Sequence, residues 1–299
     1  MSVRVMLRRI RTEIRDVIEL VLVPGLAAIL PWGICFWIFK RLARWSWLYH
    51  DASTRALMHA TQRGWVANPR EWGAERRLVT LIDHADFYLA RTRGDGWMRQ
   101  YLRVEGVWPA VDFPAVLCTF HWGAGMWGLR HAAVSGMRGH PLVAPLCRDN
   151  FAGRSVLYWY ACQRTACVGR MVQSVPLDVS ASLRPVLRAL RANEQVMAAV
   201  DVPADQAHAS ISIPILNQRA RVPTALLRLA VEQRVPVWVY VTGVNLKSGQ
   251  RFLRLISMPF KENVEEMTQQ VFSELDNIIQ ECPAAWHFWG EAERFFEPG

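Results

Sequence analysis

His121 and two aspartates, Asp201 and Asp205, are the residues of this sequence best suited to moving protons. His121 lies in the stretch Pro114 to Arg130, PAVLCTFHWGAGMWGLR, where the apolar run Ala115 to Phe120 reads as a buried strand. Gly123 and Gly125 mark a tight turn in which another backbone or a ligand can approach closely, and a helix begins near Met126. A histidine at the carboxyl end of a strand, facing the amino end of a helix, stands where open α/β sheets bind ligands. Asp201 and Asp205 directly follow a second apolar run, Gln195 to Val200. At the end of a neighbouring strand they would face the same crevice. Between the two lie Arg148, in Pro-Leu-Cys-Arg-Asp-Asn, and Arg164 one helix further on, either of which could clamp a phosphate or carboxylate. Each residue also has a plainer reading: a turn histidine, turn-capping aspartates, surface arginines.

Other chemistries find no support. There is no phosphate-binding glycine loop, no G-x-G-x-x-G and no G-x-S-x-G elbow, so neither nucleotide binding of the usual kinds nor serine hydrolysis is expected. The six cysteines include no Cys-x-x-Cys pair and no zinc spacing, so no metal or redox site is expected. They read as small core hydrophobes in a reducing compartment. Asp83, His84 and Asp86 resemble a metal cluster, but side chains so close on a helix diverge around it, and a solvated face is the expectation.

These residues need a scaffold. After Val107 short apolar runs alternate with helical segments: strands near 115–120, 141–146, 195–200, 211–215, 236–242 and 252–257, helices near 126–136, 150–168, 181–192, 222–233 and 262–281. That alternation predicts an α/β fold with a mainly parallel central sheet and helices on both faces. Residues 46–110 read as a helical lead-in to this 111–299 core, and an amphipathic segment, 284–296, ends it. Before it, residues 1–45 are basic and apolar. Arg4, Arg8, Arg9, Arg11 and Arg15 precede an apolar run from Val17 to Phe39, which is followed by Lys40, Arg41 and Arg44. The run exceeds the roughly 20 residues needed to span a bilayer. Glu19, Pro24, Gly25, Pro31 and Gly33 interrupt it. The expectation is therefore a membrane anchor, either a single span or a kinked hairpin in one leaflet with both ends cytoplasmic. The formal charge of +9 and 14 tryptophans fit an acidic partner and a membrane–water interface. Scattered basic residues and the lack of a reader motif argue against nucleic acid.

The order and spacing of these pieces resemble the lysophospholipid acyltransferase superfamily, and within it the branch of lipid A late acyltransferases and phosphatidylinositol mannoside acyltransferases. His121-Trp-Gly123 is similar to the family's His-x-Gly block. Arg148-Asp-Asn150, the helix with Arg164, and Leu187 to Asp205 follow in the family's order. Ile213-Pro214 to Pro223 and Cys282-Pro283-Ala-Ala-Trp286-His-Phe-Trp289 are similar to its later blocks, so the resemblance covers nearly the whole chain. It implies a glycerolipid acyltransferase-like domain over residues 46–299, at the cytoplasmic face of a bacterial inner membrane. It would move a fatty acyl group from acyl carrier protein or acyl-CoA to a lipid or glycolipid, with no metal or redox cofactor. His121 would be the general base, Arg148 and Arg164 would hold acceptor phosphate or donor phosphopantetheine, and N–H groups of the Gly123–Gly125 turn would stabilise the oxyanion.

One residue departs from the pattern. The family places Asp or Glu five positions after the histidine; here that position is Met126, whose thioether cannot orient an imidazole. Three explanations stay open: Asp201 or Asp205 replaces the acid; the acceptor is acidic or nucleophilic enough for a bare histidine; or the chain binds lipid or acyl carrier without transfer. A thioesterase-like hydrolase is a further alternative.

Overall fold

In the computed structural model, which describes residues 3–180, 182–206 and 209–297, the chain opens with helices: α1 (Val3–Asp16), a π-helical turn (Val17–Leu22), α2 (Val23–Ile29), α3 (Trp32–Leu42), α4 (His50–Gln62), α5 (Pro69–Thr92) and α6 (Asp95–Tyr101). There follow β1 (Leu102–Glu105), β2 (Ala115–Thr119), α7 (Met126–Val134), β3 (Gly139–Val143), α8 (Ser155–Val172), β4 (Leu177–Asp178), α9 (Arg184–Arg191) and β5 (Gln195–Ala199). The rest is β6 (Ser210–Ile215), β7 (Gln218–Pro223), α10 (Ala225–Glu232), β8 (Val237–Val244), β9 (Arg251–Met258), α11 (Val264–Glu281) and a closing 3-10 segment over Pro283–Arg294.

Seven strands form one sheet in the order β1-β9-β8-β2-β5-β3-β4, parallel at every junction except the β8–β9 hairpin. The α/β class and mainly parallel sheet expected from the alternation are thus present. The apolar runs of β2 and β5 are buried on both faces, as strands between helical layers must be. Their alternate residues feed two cores. Val116, Cys118, Val196 and Ala198 pack under α4, α9, α10, α11 and the closing segment, while Ala115, Leu117 and Met197 pack under α3, α5 and α7. The run expected at 211–215 is not a sheet member. It pairs only with β7, in a separate hairpin turned by Leu216 and Asn217, both at positive φ.

The apolar N-terminal run is the main correction. No helix among the described residues is long and apolar enough to cross a membrane. The run is broken by the π-helical turn, and again where Leu30 turns extended before Pro31. On α3, Trp32, Cys35, Phe36 and Phe39 recur at helical spacing and are buried in one cluster with Leu81, Ile82, Ala85 and Leu89 of α5. A single span does not describe these helices; the buried face of α3 belongs to the protein core, while Leu22, Ile29, Ile34 and Trp37 are exposed. Cys35, Cys118 and Cys167 are core residues as expected, but Cys147 is exposed.

Candidate active site

β2 and β5 are adjacent and parallel, with Ala115 opposite Gln195 and Thr119 opposite Ala199. Continuing that register two residues past the strand ends sets Asp201 beside His121. The Val200 amide donates to the Thr119 carbonyl at 2.9 Å. Where the next ladder bond would form, the His121 amide donates instead to both Asp201 oxygens, at 2.8 and 3.0 Å. The same carboxylate lies 2.9 Å from His121 Nδ1, and Trp286 Nε1 donates to it at 3.0 Å. Asp201 is fully buried while the His121 side chain is 40% exposed. A buried carboxylate needs its donors, and this one has three groups aimed at it. With Nδ1–H donated to Asp201, the basic lone pair of a neutral imidazole sits on Nε2. Burial lowers the His121 pKa, but the charge and hydrogen bond of Asp201 outweigh it, and the net shift is upward.

His121 lies on the wall of a cavity of about 360 Å³, formed also by Thr119, Gly123, Met126, Ala199, Tyr240 and, from the helical layer, Asp83, His84 and Arg164. Met126 is buried beside Phe87 and Tyr160 and forms apolar wall. Arg164 faces the cavity already paired: it donates to both Asp83 carboxylate oxygens at 2.7 and 2.8 Å and to the Asp83 carbonyl at 3.1 Å. Burial raises the Asp83 pKa, yet Arg164 pulls it below the ordinary value, so the pair is ionic.

The acidic helix segment is therefore not a solvated face. His84 is 2.8 Å from the Tyr160 hydroxyl, and burial, with Arg164 nearby, pushes its pKa down to about 3. Asp86 is fully buried against Arg251, whose guanidinium also lies over the Trp32 and Trp97 rings. Asp83 and His84 share the cavity wall, and only Asp86 turns away, to Arg251. No metal-holding group of His, Cys, Asp and Glu occurs among the described residues.

Three other expectations are corrected. Asp205 is exposed on the turn after β5 and pairs with Arg294 at 2.7 and 2.9 Å, away from His121. Arg148 is exposed, lies over the Tyr158 ring and is not part of the cavity wall. Of the turn glycines, Gly123 does not offer the amide expected of it. Gly123 has φ +71°, and a Cβ there would meet the Thr242 carbonyl at 2.5 Å. Its N–H donates to Ala285, and the Ala124 N–H donates to Thr242.

The closing segment supplies residues that sequence reasoning did not place. It runs antiparallel to the His121 loop: Trp122 bridges Trp286, and the His287 amide donates to the His121 carbonyl at 2.7 Å. His287 Nε2 is 2.8 Å from the Gly123 carbonyl, and burial followed by the Arg76 charge pushes its pKa down to about 4. Fully buried Arg76, from α5, holds the segment by donating to the carbonyls of Ala284, Trp286 and His287. The available signal was the Cys282–Trp289 block, rich in aromatics at the end of the chain. His84 and His287 also wall a second cavity of about 330 Å³, lined by Arg15, Asp16, Glu19, Tyr49, Arg55, Arg76 and Arg154.

A histidine held by a buried carboxylate beside an open cavity can accept a proton at Nε2 and return it. No protein-family model matches this chain, and no curated protein matches it.

Proposed function

We propose that the chain is an acyltransferase in which His121 is the general base and Asp201 takes the orienting role of the carboxylate missing at Met126. The observation that carries this reading is the 2.9 Å contact between His121 Nδ1 and the buried Asp201 carboxylate, at the edge of a cavity. The acceptor hydroxyl gives its proton to Nε2 as its oxygen attacks the thioester carbonyl of the donor. The tetrahedral adduct then expels the thiolate, which takes the proton back from the imidazolium, while Asp201 stabilises that cation throughout. With Gly123 and Ala124 engaged elsewhere, the oxyanion donors are amides at the start of α7, where Gly125 and Met126 line the cavity and a helix has no partners of its own for its first N–H groups. Arg164, matched by Asp83, sets the field of the cavity and is not free to clamp a phosphate alone. The donor is an acyl carrier protein or acyl-CoA and the acceptor a membrane lipid or glycolipid, which the net positive charge and the family resemblance support.

The test incubates purified protein with radiolabelled acyl carrier protein or acyl-CoA and total lipid extract, comparing wild type with His121→Ala. The expected loss of labelled lipid is about 10²–10⁴-fold, the usual contribution of a general base. Equal product from both proteins rejects His121 as the base. Label released as free fatty acid without lipid product identifies water as the acceptor and a hydrolase in place of a transferase.

A further inference from the structure

Helix α1 is mounted with its polar side on the protein and its apolar side outward. Glu13 accepts from the amides of Ser155 and Val156 at 2.7 and 2.9 Å, capping the start of α8. Asp16 pairs with Arg154, and Arg9 donates to the Gly153 carbonyl at 3.1 Å. Residues 9, 13 and 16 share one face of a helix. Next to this face Met6, Ile10 and Ile14 recur every four residues with Leu7 beside them, and these residues are 43–55% exposed. Arg8 and Arg11, both exposed, flank this stripe. A helix on a soluble protein ordinarily turns such a stripe inward. Here three polar ties hold the helix by the adjoining face and leave the stripe exposed, so the exposed stripe is a property of the fold.

We propose that α1 is a membrane-docking element that lies flat in the interface of a bilayer containing anionic lipid, with Met6, Leu7, Ile10 and Ile14 entering the acyl boundary and Arg8 and Arg11 meeting lipid phosphates. An amphipathic helix with an apolar stripe flanked by arginines has the chemistry of an interfacial helix. An acidic carrier protein would be matched by the arginines alone and leave the stripe exposed. The inference rests on the mounting of α1 and not on the transfer reading; either can fail while the other stands.

The experiment is flotation of the full-length protein with vesicles of phosphatidylcholine alone and with phosphatidylglycerol added, at low and high salt. Wild type is expected to float with the anionic vesicles and to release as salt rises. Ile10→Asp with Ile14→Asp should weaken binding to the anionic vesicles by about tenfold or more. Arg8→Glu with Arg11→Glu should abolish the preference for anionic over neutral vesicles. Glu13 and Asp16 are retained in every variant, and unchanged thermal unfolding confirms that α1 is still mounted. Should the aspartates disturb the helix, Ile10→Ser with Ile14→Ser carries the same expectation. The proposal is overturned if wild type ignores both vesicles, or if folded stripe variants bind as well as wild type. It is also overturned if wild type sediments as a dimer that the stripe variants dissolve, because the stripe is then a contact between copies of this chain.

Discussion

Asp201 and Asp205 stand four residues apart in one segment and have opposite fates. Asp201 is buried where the β2–β5 ladder ends, accepting from His121 and Trp286. Asp205 lies one turn further, exposed and paired with Arg294. What separates them is strand register, since only the residue opposite His121 can take the place of a ladder acceptor. Two aspartates of one short segment are thus told apart by strand pairing alone. Met126, on α7, is apolar wall of the cavity.

The largest effect should come from Asp201→Asn, which keeps the shape and removes the charge. Turnover should fall by about 10²–10⁴-fold, because the amide can favour the wrong imidazole tautomer. It should also move the pH profile. A raised His121 pKa places the acid limb of activity above the ordinary imidazole value of 6.5, since the base works only when neutral. Without the carboxylate, burial dominates and the limb moves to lower pH. The corresponding stability term is fully present below pH 6.5 and is lost as pH rises through the raised folded value, so the pH-dependent part of the difference in thermal unfolding between wild type and variant should vanish above it. If Asp201→Asn retains full activity with an unmoved limb, the carboxylate does not orient the base.

Met126→Asp sharpens the same contrast. If Asp201 already serves His121, a second carboxylate is not a repair. It brings a charge into an apolar cluster with Phe87 and Leu20 and should cost about 2 kcal/mol or more of stability. Activity should fall as well, measured by the same transfer assay; a rise would show that the site is handicapped by its methionine. Trp286→Phe is expected to be intermediate, losing about 1.5–3 kcal/mol in thermal unfolding, the value of a hydrogen bond to a charged group. Its acid limb should rise only slightly, because Asp201 keeps its charge and loses one competing donor. Asp205→Asn should change stability by no more than about 0.5 kcal/mol and leave the limb in place, as an exposed ion pair with Arg294 predicts. A limb shift there would erase the distinction between the two aspartates.

Much of this arrangement is legible in the residues. The uninterrupted apolar runs of β2 and β5 and the helical periods between them encode two buried neighbours, and with them the crevice at His121. What periodicity does not encode is register, so Asp201 and Asp205 read alike until the strands are paired. Partners distant in sequence are equally hidden. Arg164 looked free to clamp a ligand because nothing marks Asp83, on a helix far upstream, as its counter-ion. Apolar content is ambiguous in the same way: Trp32, Phe36 and Phe39 are as suited to lipid as to α5, and only packing decides. The short strands β1 and β7 escaped because Leu102-Arg-Val-Glu and Gln218-Arg-Ala-Arg-Val-Pro carry too many charges to stand out as buried runs.

The antiparallel bridge between Trp122 and Trp286 sets an order of events in synthesis. His121, Asp201 and the strands that carry them leave the ribosome well before Trp286 and His287. Until residues 283–289 emerge, Arg76 lacks the three carbonyls it grips, and the Asp201 carboxylate lacks its indole donor. A nascent chain can thus assemble its sheet before the surroundings of His121 and Asp201 are finished, and the closing segment completes them.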